Sequence, residues 1–333
     1  MQYGPTLFDH IRAECARLDA DDDFSGVITD IALACAAISK LVRHGHLVGN
    51  MSAEHGTNVQ DETQKELDII SNNILIEHAD KGGHLIAVAS EEMADSFVFS
   101  KADTRGKYLL VFDPLDGSLN IEVNGPVGTI FSVLPAPEGV TGANADFLQP
   151  GTAQLCAGYV LYGISTEMVL TFGAGVAVFT LDPDDHTFKM TNRHLAIAED
   201  TSEYAINASN QRFWEPPVQR YISECLAGEG GPRGRDFNMR WVGAMVADVH
   251  RILSRSGVFT YPIDEKIRNR GGRLRLMYEA NPMAMVVEQA GGIASTGRGR
   301  IMEIVPHDLH QRVAVILGSK NEVQRLIDYH SEA

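Results

Sequence analysis

Apolar residues recur at helical spacing through Phe24, Val27, Ile28, Ile31, Cys35, Ile38 and Leu41, and Gly45 marks a stop. This predicts an amphipathic helix over 24–44. A second helix is expected over 61–79, with Leu67, Ile70 and Ile74 as its stripe and Asp68 one residue off it. The stretch 49–60 between them is small and polar and reads as a loop. The period then changes. Short apolar runs predict strands at 85–90, 108–112, 128–134, 153–162, 167–172, 175–181 and 187–191, with a hairpin around Gly173-Ala174-Gly175. Residues 193–212 read as a join between two lobes. After it come helices at 216–227 and 239–255, a strand at 257–261 and a helix in EANPMAMVVEQAGG. In that last helix Asn281 is expected to cap and Pro282 to fit the first turn. A strand at 312–318 and a short helix close the chain. The strands lack strict βαβ alternation, so mixed or antiparallel sheets flanked by helices fit best, an α/β fold.

The chain has 333 residues, 44% of them hydrophobic, enough for one large or two smaller domains. Its net charge of −16 repels nucleic acid and anionic membranes, so neither is an expected partner. A phosphorylated ligand would need a local site of metals and a few Arg or Lys. Cys15, Cys35, Cys156 and Cys225 form no C-x-x-C pair, which argues against a zinc knuckle and fits a reducing cytoplasm. The acidic N-terminus has no signal-peptide pattern, and no apolar run approaches the roughly 18 to 20 residues of a membrane span.

The chemistry concentrates at strand ends. Tyr108-Leu109-Leu110-Val111 leads into FDPLDGS, Phe112 to Ser118, which delivers Asp113 and Asp116 into a tight loop. Pro114 is expected to stop the strand, and Gly117 allows a backbone angle that side chains forbid. Glu91-Glu92 end another predicted strand, and Glu279 stands just before Asn281. If the strands are neighbours, the acids meet. Such a cluster needs cations, because like charges raise each other's pKa values. Hard divalent ions take oxygen ligands, here including the Leu115 carbonyl, and two of them would bridge a phosphate and activate water. The plain alternative is an ordinary turn with solvated acids.

GKYLLVFDPLDGSLNI (106–121) resembles the signature of the class I fructose-1,6-bisphosphatases, within the lithium-sensitive sugar and inositol phosphatase superfamily. TNVQDETQKELD (57–68), ASEE (89–92), MVADVHR (245–251), LRLMYEANPMAMVVEQAGG (274–292) and HQRVAVILGS (310–319) carry the same resemblance. It implies a layered α-β-α-β-α sandwich with two mixed sheets, in a metal-binding lobe (1–195) and a sugar-phosphate-binding lobe (196–333). It implies Mg²⁺, or Mn²⁺, held by Glu91, Asp113, the Leu115 carbonyl, Asp116 and Glu279. Glu92 would assist, Asp68 would orient or deprotonate the attacking water, and Glu62 stands where another acid of that network sits. Asp116, Gly117, Ser118, Leu119, Asn207, Arg240, Trp241, Tyr261 and Arg273 match substrate contacts. The implied reaction is hydrolysis of the 1-phosphate of fructose 1,6-bisphosphate in a cytoplasmic homotetramer, with Arg240 reaching a neighbouring subunit.

Departures from the family pattern bear on the sugar. Trp241 and Asn210 replace tyrosines, Arg273 replaces a lysine and Leu119 a serine. Sedoheptulose 1,7-bisphosphate is therefore a second candidate substrate. Another superfamily phosphomonoesterase would be expected to carry W-D-x-A-A-G, which is missing, and a non-catalytic sensor to have lost a metal acid. Many relatives bind AMP on a Thr/Gly turn with Lys-Tyr and Arg partners. Here Lys107-Tyr108 remain, but the turn reads Asp21-Asp22-Asp23 and Pro135 takes the arginine position, so AMP control through that site is expected to be weak or absent.

Overall fold

The structure, a computed structural model, describes residues 4–49, 53–57, 63–100 and 106–333. Helices α1 (Leu7–Leu18), α2 (Asp22–His44) and α3 (Glu66–Gly82) cover one face of an eight-stranded sheet. A short hairpin, β1 (Glu54–Thr57) and β2 (Thr63–Lys65), leads into α3. In spatial order the sheet runs β10 (Phe188–Asn192), β9 (Ala177–Leu181), β8 (Thr166–Thr171), β7 (Cys156–Tyr162), β6 (Val127–Pro135), β5 (Tyr108–Asp116), β3 (Leu85–Ser90) and β4 (Phe97–Val98). β3 and β5 are parallel, and the other neighbours pair antiparallel. A single turn, α4 (Asn144–Phe147), follows β6.

The second sheet has the order β12 (Asn238–Met239), β11 (Glu203–Ile206), β13 (Val258–Tyr261), β17 (Val315–Gly318), β15 (Ile293–Ser295). β11 is parallel to both its neighbours, and the remaining pairs are antiparallel. Helices α6 (Met245–Arg255) and α7 (Asn281–Gln289) lie between the two sheets, while α5 (Pro216–Leu226) and α8 (Lys320–Ser331) cover the far face. A two-stranded ladder, β14 (Leu274–Arg275) and β16 (Arg312–Val313), completes the set. The result is the expected α-β-α-β-α layering.

Strand parity explains the layers. In β5, Leu110 and Phe112 face α1–α3, whereas Leu109 and Val111 pack with Phe147 and Tyr278 on the other side. A strand covered on both faces is an unbroken apolar run, because each side chain fully buried contributes roughly 1.5–3 kcal/mol. The helix α2 is long and apolar enough to span a bilayer by length and composition. Its residues Phe24, Val27, Ile28, Ile31, Ala34, Cys35 and Ile38 are instead buried in the core beneath the first sheet.

Several expectations change. The loop 49–60 contains β1, and α3 starts at Glu66 because Thr63–Lys65 pair with β1. Within 193–212, residues Glu203–Ile206 form a strand of the second sheet. The helix expected from 239 begins at Met245, since Asn238–Met239 pair with β11 and Gly243 has φ of +87°. The strand 312–318 divides at Ala314 between two ladders. Asn281 is no cap: one π-helical turn, Leu276–Ala280, runs directly into α7.

Candidate active site

The parallel pairing of β3 with β5, Ser90 opposite Phe112, sets Glu91 beside Asp113. Pro114 does not end β5. The strand continues to Asp116 through a bulge. Between the pairs Asp113–Ile130 and Asp116–Gly128, β5 takes three steps where β6 takes two. Residues three apart on a regular strand face opposite sides, and one extra residue reverses that parity. Both aspartates therefore turn to one point. The bulge also removes the need for a ladder donor at Pro114, whose carbonyl accepts from Thr129 Oγ1 at 2.9 Å. Asp113 Oδ1 accepts the Leu115 N–H at 2.9 Å.

Glu279 arrives from the π-helical turn, a local widening common at functional sites. Carboxylate oxygens of Asp113, Asp116 and Glu279 lie within 4.8 Å of one another. Arg275 is buried among them: its guanidinium pairs with Glu91 and stands 3.7 Å from Glu279, and its N–H donates to Glu279 at 2.6 Å. Among the described residues Arg275 is the cation seen paired with these acids, which outnumber it. Burial, then Glu91, Asp116 and Glu279, pushes Asp113 well above the carboxylate range. Burial also raises Glu91, with Arg275 opposing. Asp116 is pushed up to about 8 by burial and Glu279. These oxygen-rich, crowded and buried donors fit a hard divalent cation.

Asp68, in the first turn of α3, is 2% exposed. One carboxylate oxygen accepts the Lys65 N–H at 2.8 Å, and the other has no hydrogen-bond partner among the described residues. Burial and the Glu92 charge push it up to about 7. A buried carboxylate with a free oxygen and such a pKa suits a general base.

A cleft of ≈ 660 Å³ unites the expected residues Asp68, Glu91, Glu92, Asp113, Leu115 and Asp116 with Gly117, Ser118, Leu119 and Glu279. Asn207, Trp241, Tyr261 and Arg273 also line it. Trp241 stacks on Phe259 with ring centroids 5.9 Å apart and planes at 6°. Gly117, at φ +82°, lets the loop approach α6 so closely that a Cβ there would sit 2.4 Å from Ala244 Cβ. Arg240 does not reach this cleft; it is exposed beyond the wall. Asn210 also lies outside it. Glu62 lies outside the described residues.

Sequence reasoning missed Arg275 and Asp248, which both line the cleft. The alternation Arg273-Leu274-Arg275-Leu276 was a usable signal, since period two sets both arginines on one face. Asp248 was a lone acid inside the apolar stripe of α6.

The chain belongs to the fructose-1,6-bisphosphatase family. The description "Fructose-1-6-bisphosphatase, N-terminal domain" matches residues 8–193, and "Fructose-1-6-bisphosphatase, C-terminal domain" matches 197–331. It is 60% identical to the fructose-1,6-bisphosphatase class 1 of Methylobacillus flagellatus over 310 residues, 93% of each chain. Identity to that of Halorhodospira halophila is 54% over 337 residues, 100% of each. A solved structure of Leishmania major fructose-1,6-bisphosphatase in holo form superposes with a TM-score of 0.92 at 36% identity, covering 99% of this chain and 100% of the other.

Proposed function

We propose that the protein hydrolyses the 1-phosphate of fructose 1,6-bisphosphate, giving fructose 6-phosphate and inorganic phosphate, and that it does so with Mg²⁺. The observation that carries this reading is the convergence of Asp113, Asp116 and Glu279 on one point, in a cleft that Arg273, Tyr261 and Asn207 also line. Bound at Glu91, Asp113, the Leu115 carbonyl, Asp116 and Glu279, divalent cations would neutralise phosphate charge and acidify water. Asp68 takes the proton of the attacking water, with Glu92 beside it. Arg273 grips the distal phosphate bidentately, while Tyr261 and Asn207 supply hydrogen bonds. Gly117, Ser118 and Leu119 offer backbone N–H groups on the other side. Contacts to the distal phosphate hold the scissile group in place, so remote binding energy lowers the barrier.

The acids Asp68 to Asp116 come from the proposed lobe 1–195, and Asn207, Tyr261 and Arg273 from 196–333. The exposure of Arg240 beyond its own cleft supports a homotetramer in which it serves a neighbour. Four free cysteines agree with a cytoplasmic setting. Phosphate release from fructose 1,6-bisphosphate, with Mg²⁺ or Mn²⁺ and with EDTA, tests the proposal, and no metal-dependent release would defeat it. Sedoheptulose 1,7-bisphosphate belongs in the same assay. Trp241 places a ring system without a phenol against Tyr261, and that change at the wall is the reason to test the longer sugar.

A further inference from the structure

The part of the cleft lining that carries Trp241 is held by ring packing on Phe259 and Tyr261 and by backbone hydrogen bonds. The Arg240 N–H donates to the Tyr204 carbonyl at 2.8 Å, at the end of the β12 pairing. From there to Ala244 the chain is without regular structure, Val242 is 39% exposed, and Gly243 takes a left-handed φ of +87°. Two consecutive N–H groups of this segment, Val242 at 3.0 Å and Gly243 at 3.1 Å, donate to separate oxygens of Asp248. Asp248 is 1% exposed, on the first turns of α6. An acid in the first turn suits the helix dipole, but burying one is costly without compensating donors. Its oxygens are used to hold the wall.

The same helix is held from the other side. The Val246 N–H donates to Asp116 Oδ2 at 2.7 Å, so a carboxylate of the metal cluster caps α6 from the first sheet. The first turn of α6 thus ties two things together: Asp116 below, and through Asp248 the segment that carries Trp241.

We propose that Asp248 is a positioning residue that fixes the segment Arg240–Gly243, and with it the Trp241 wall, in register with the acidic cluster. This inference rests on the reading of the cleft as a sugar-bisphosphatase site. Both Asp248 oxygens are taken up by the Val242 and Gly243 N–H groups, so it acts through the loop. Replacing it should therefore harm recognition of the part of the substrate that reaches the wall and spare the chemistry at the other end.

The test compares the wild type with Asp248→Asn, which keeps one acceptor oxygen, and Asp248→Ala, which keeps none. The substrates are fructose 1,6-bisphosphate and fructose 1-phosphate, which lacks the distal phosphate. For the bisphosphate, kcat/KM should fall by about 10-fold in the Asn variant and further in the Ala variant, chiefly through KM. For the monophosphate it should change less than about two-fold. A second readout needs no turnover. In a Trp214→Phe background Trp241 is the sole tryptophan, and its quenching by acrylamide should increase on adding Asp248→Asn. Equal losses on both substrates, or unaltered quenching in a folded variant, would overturn the proposal. If the wild type releases phosphate from neither substrate, the functional reading has failed, and the quenching result still decides whether Asp248 pins the wall.

Discussion

Two buried carboxylate clusters in this molecule are built on opposite plans. In the second lobe Glu322 is 1% exposed, and its two oxygens meet the guanidinium groups of Arg233 and Arg235 and the Tyr221 hydroxyl, the last at 2.9 Å. One acid there has two cations and a phenol. At the crest of the first sheet the ratio is reversed: Glu91, Asp113, Asp116 and Glu279 share Arg275. The first plan closes on itself and locks the Gly-rich loop at 228–235 to α5 and α8. Among the described residues the second has more acids than cations, and divalent cations would bring the balancing positive charge. Burial alone does not separate a structural acid from a functional one; the local charge balance does.

The sharpest way to break this contrast is to exchange one acid in each cluster. Asp113→Asn keeps an oxygen for the Leu115 N–H but loses an anionic ligand. Phosphate release should fall by at least about 100-fold, while thermal unfolding in EDTA should occur at the same temperature or higher, since a buried, crowded carboxyl gives way to a permanently neutral amide. Glu322→Gln should do the opposite. Two guanidinium groups lose their counter-ion, and urea denaturation should report a loss of roughly 3 kcal/mol, with kcat little changed. If both variants lose stability and activity together, the division between the two plans is wrong.

A smaller effect is expected in the pH dependence of the metal-free protein. The folded-state pKa values of Asp116, about 8, and Asp68, about 7, lie above the unfolded carboxylate value of 3.8. The folded state thus holds protons that the unfolded state has released. The stability contributed is full below the ordinary carboxylate range and is lost as pH rises through those folded values. In EDTA the melting temperature should decline between pH 5 and pH 8. Added Mg²⁺ displaces the same protons, so its stabilising shift should be larger at pH 8 than at pH 6. A shift that is flat with pH would show that the cluster is already ionised without metal.

Much of this was legible in the chain, for identifiable reasons. The acids Glu91 and Asp113 could be read because continuous apolar runs stop before them, and the parallel pairing of those strands then brings the acids together, although β5 itself runs on to Asp116. The bulge at Pro114 could not be read, because it exists only against the register of β6. The π-helical turn under Glu279 is likewise a tertiary outcome, and Glu279 joined the expected metal set firmly only through the family resemblance. The helix α1 was overlooked despite a signal: Thr6 and Asp9 form a reciprocal capping box, with the Asp9 N–H donating to Thr6 Oγ1 at 3.2 Å and the Thr6 N–H to Asp9 Oδ2 at 3.0 Å. Asp248 escaped notice because its partners are two backbone N–H groups, which leave no trace in residue type.

The smallest expected effect is no effect, and it concerns a third group of acids. Asp21, Asp22 and Asp23 occupy the turn where relatives are expected to hold the AMP phosphate. Two of them are already engaged. Asp21 Oδ1 accepts the Phe24 N–H at 3.0 Å and the Tyr108 hydroxyl at 2.7 Å, and Asp23 accepts from or pairs with His84 Nδ1 at 2.8 Å. The phenol that would meet a phosphate is thus donated to an internal carboxylate, which takes the anion's place. A phosphate entering beside it would face repulsion of roughly 4 kcal/mol per close pair at an effective dielectric near 20, less where solvent screens. Millimolar AMP should therefore leave the initial rate unchanged. Inhibition that disappears in Lys107→Ala would show that this turn binds the nucleotide after all. It would also show that acids with local partners can still yield to a phosphate, which would weaken the distinction between the closed and the open cluster.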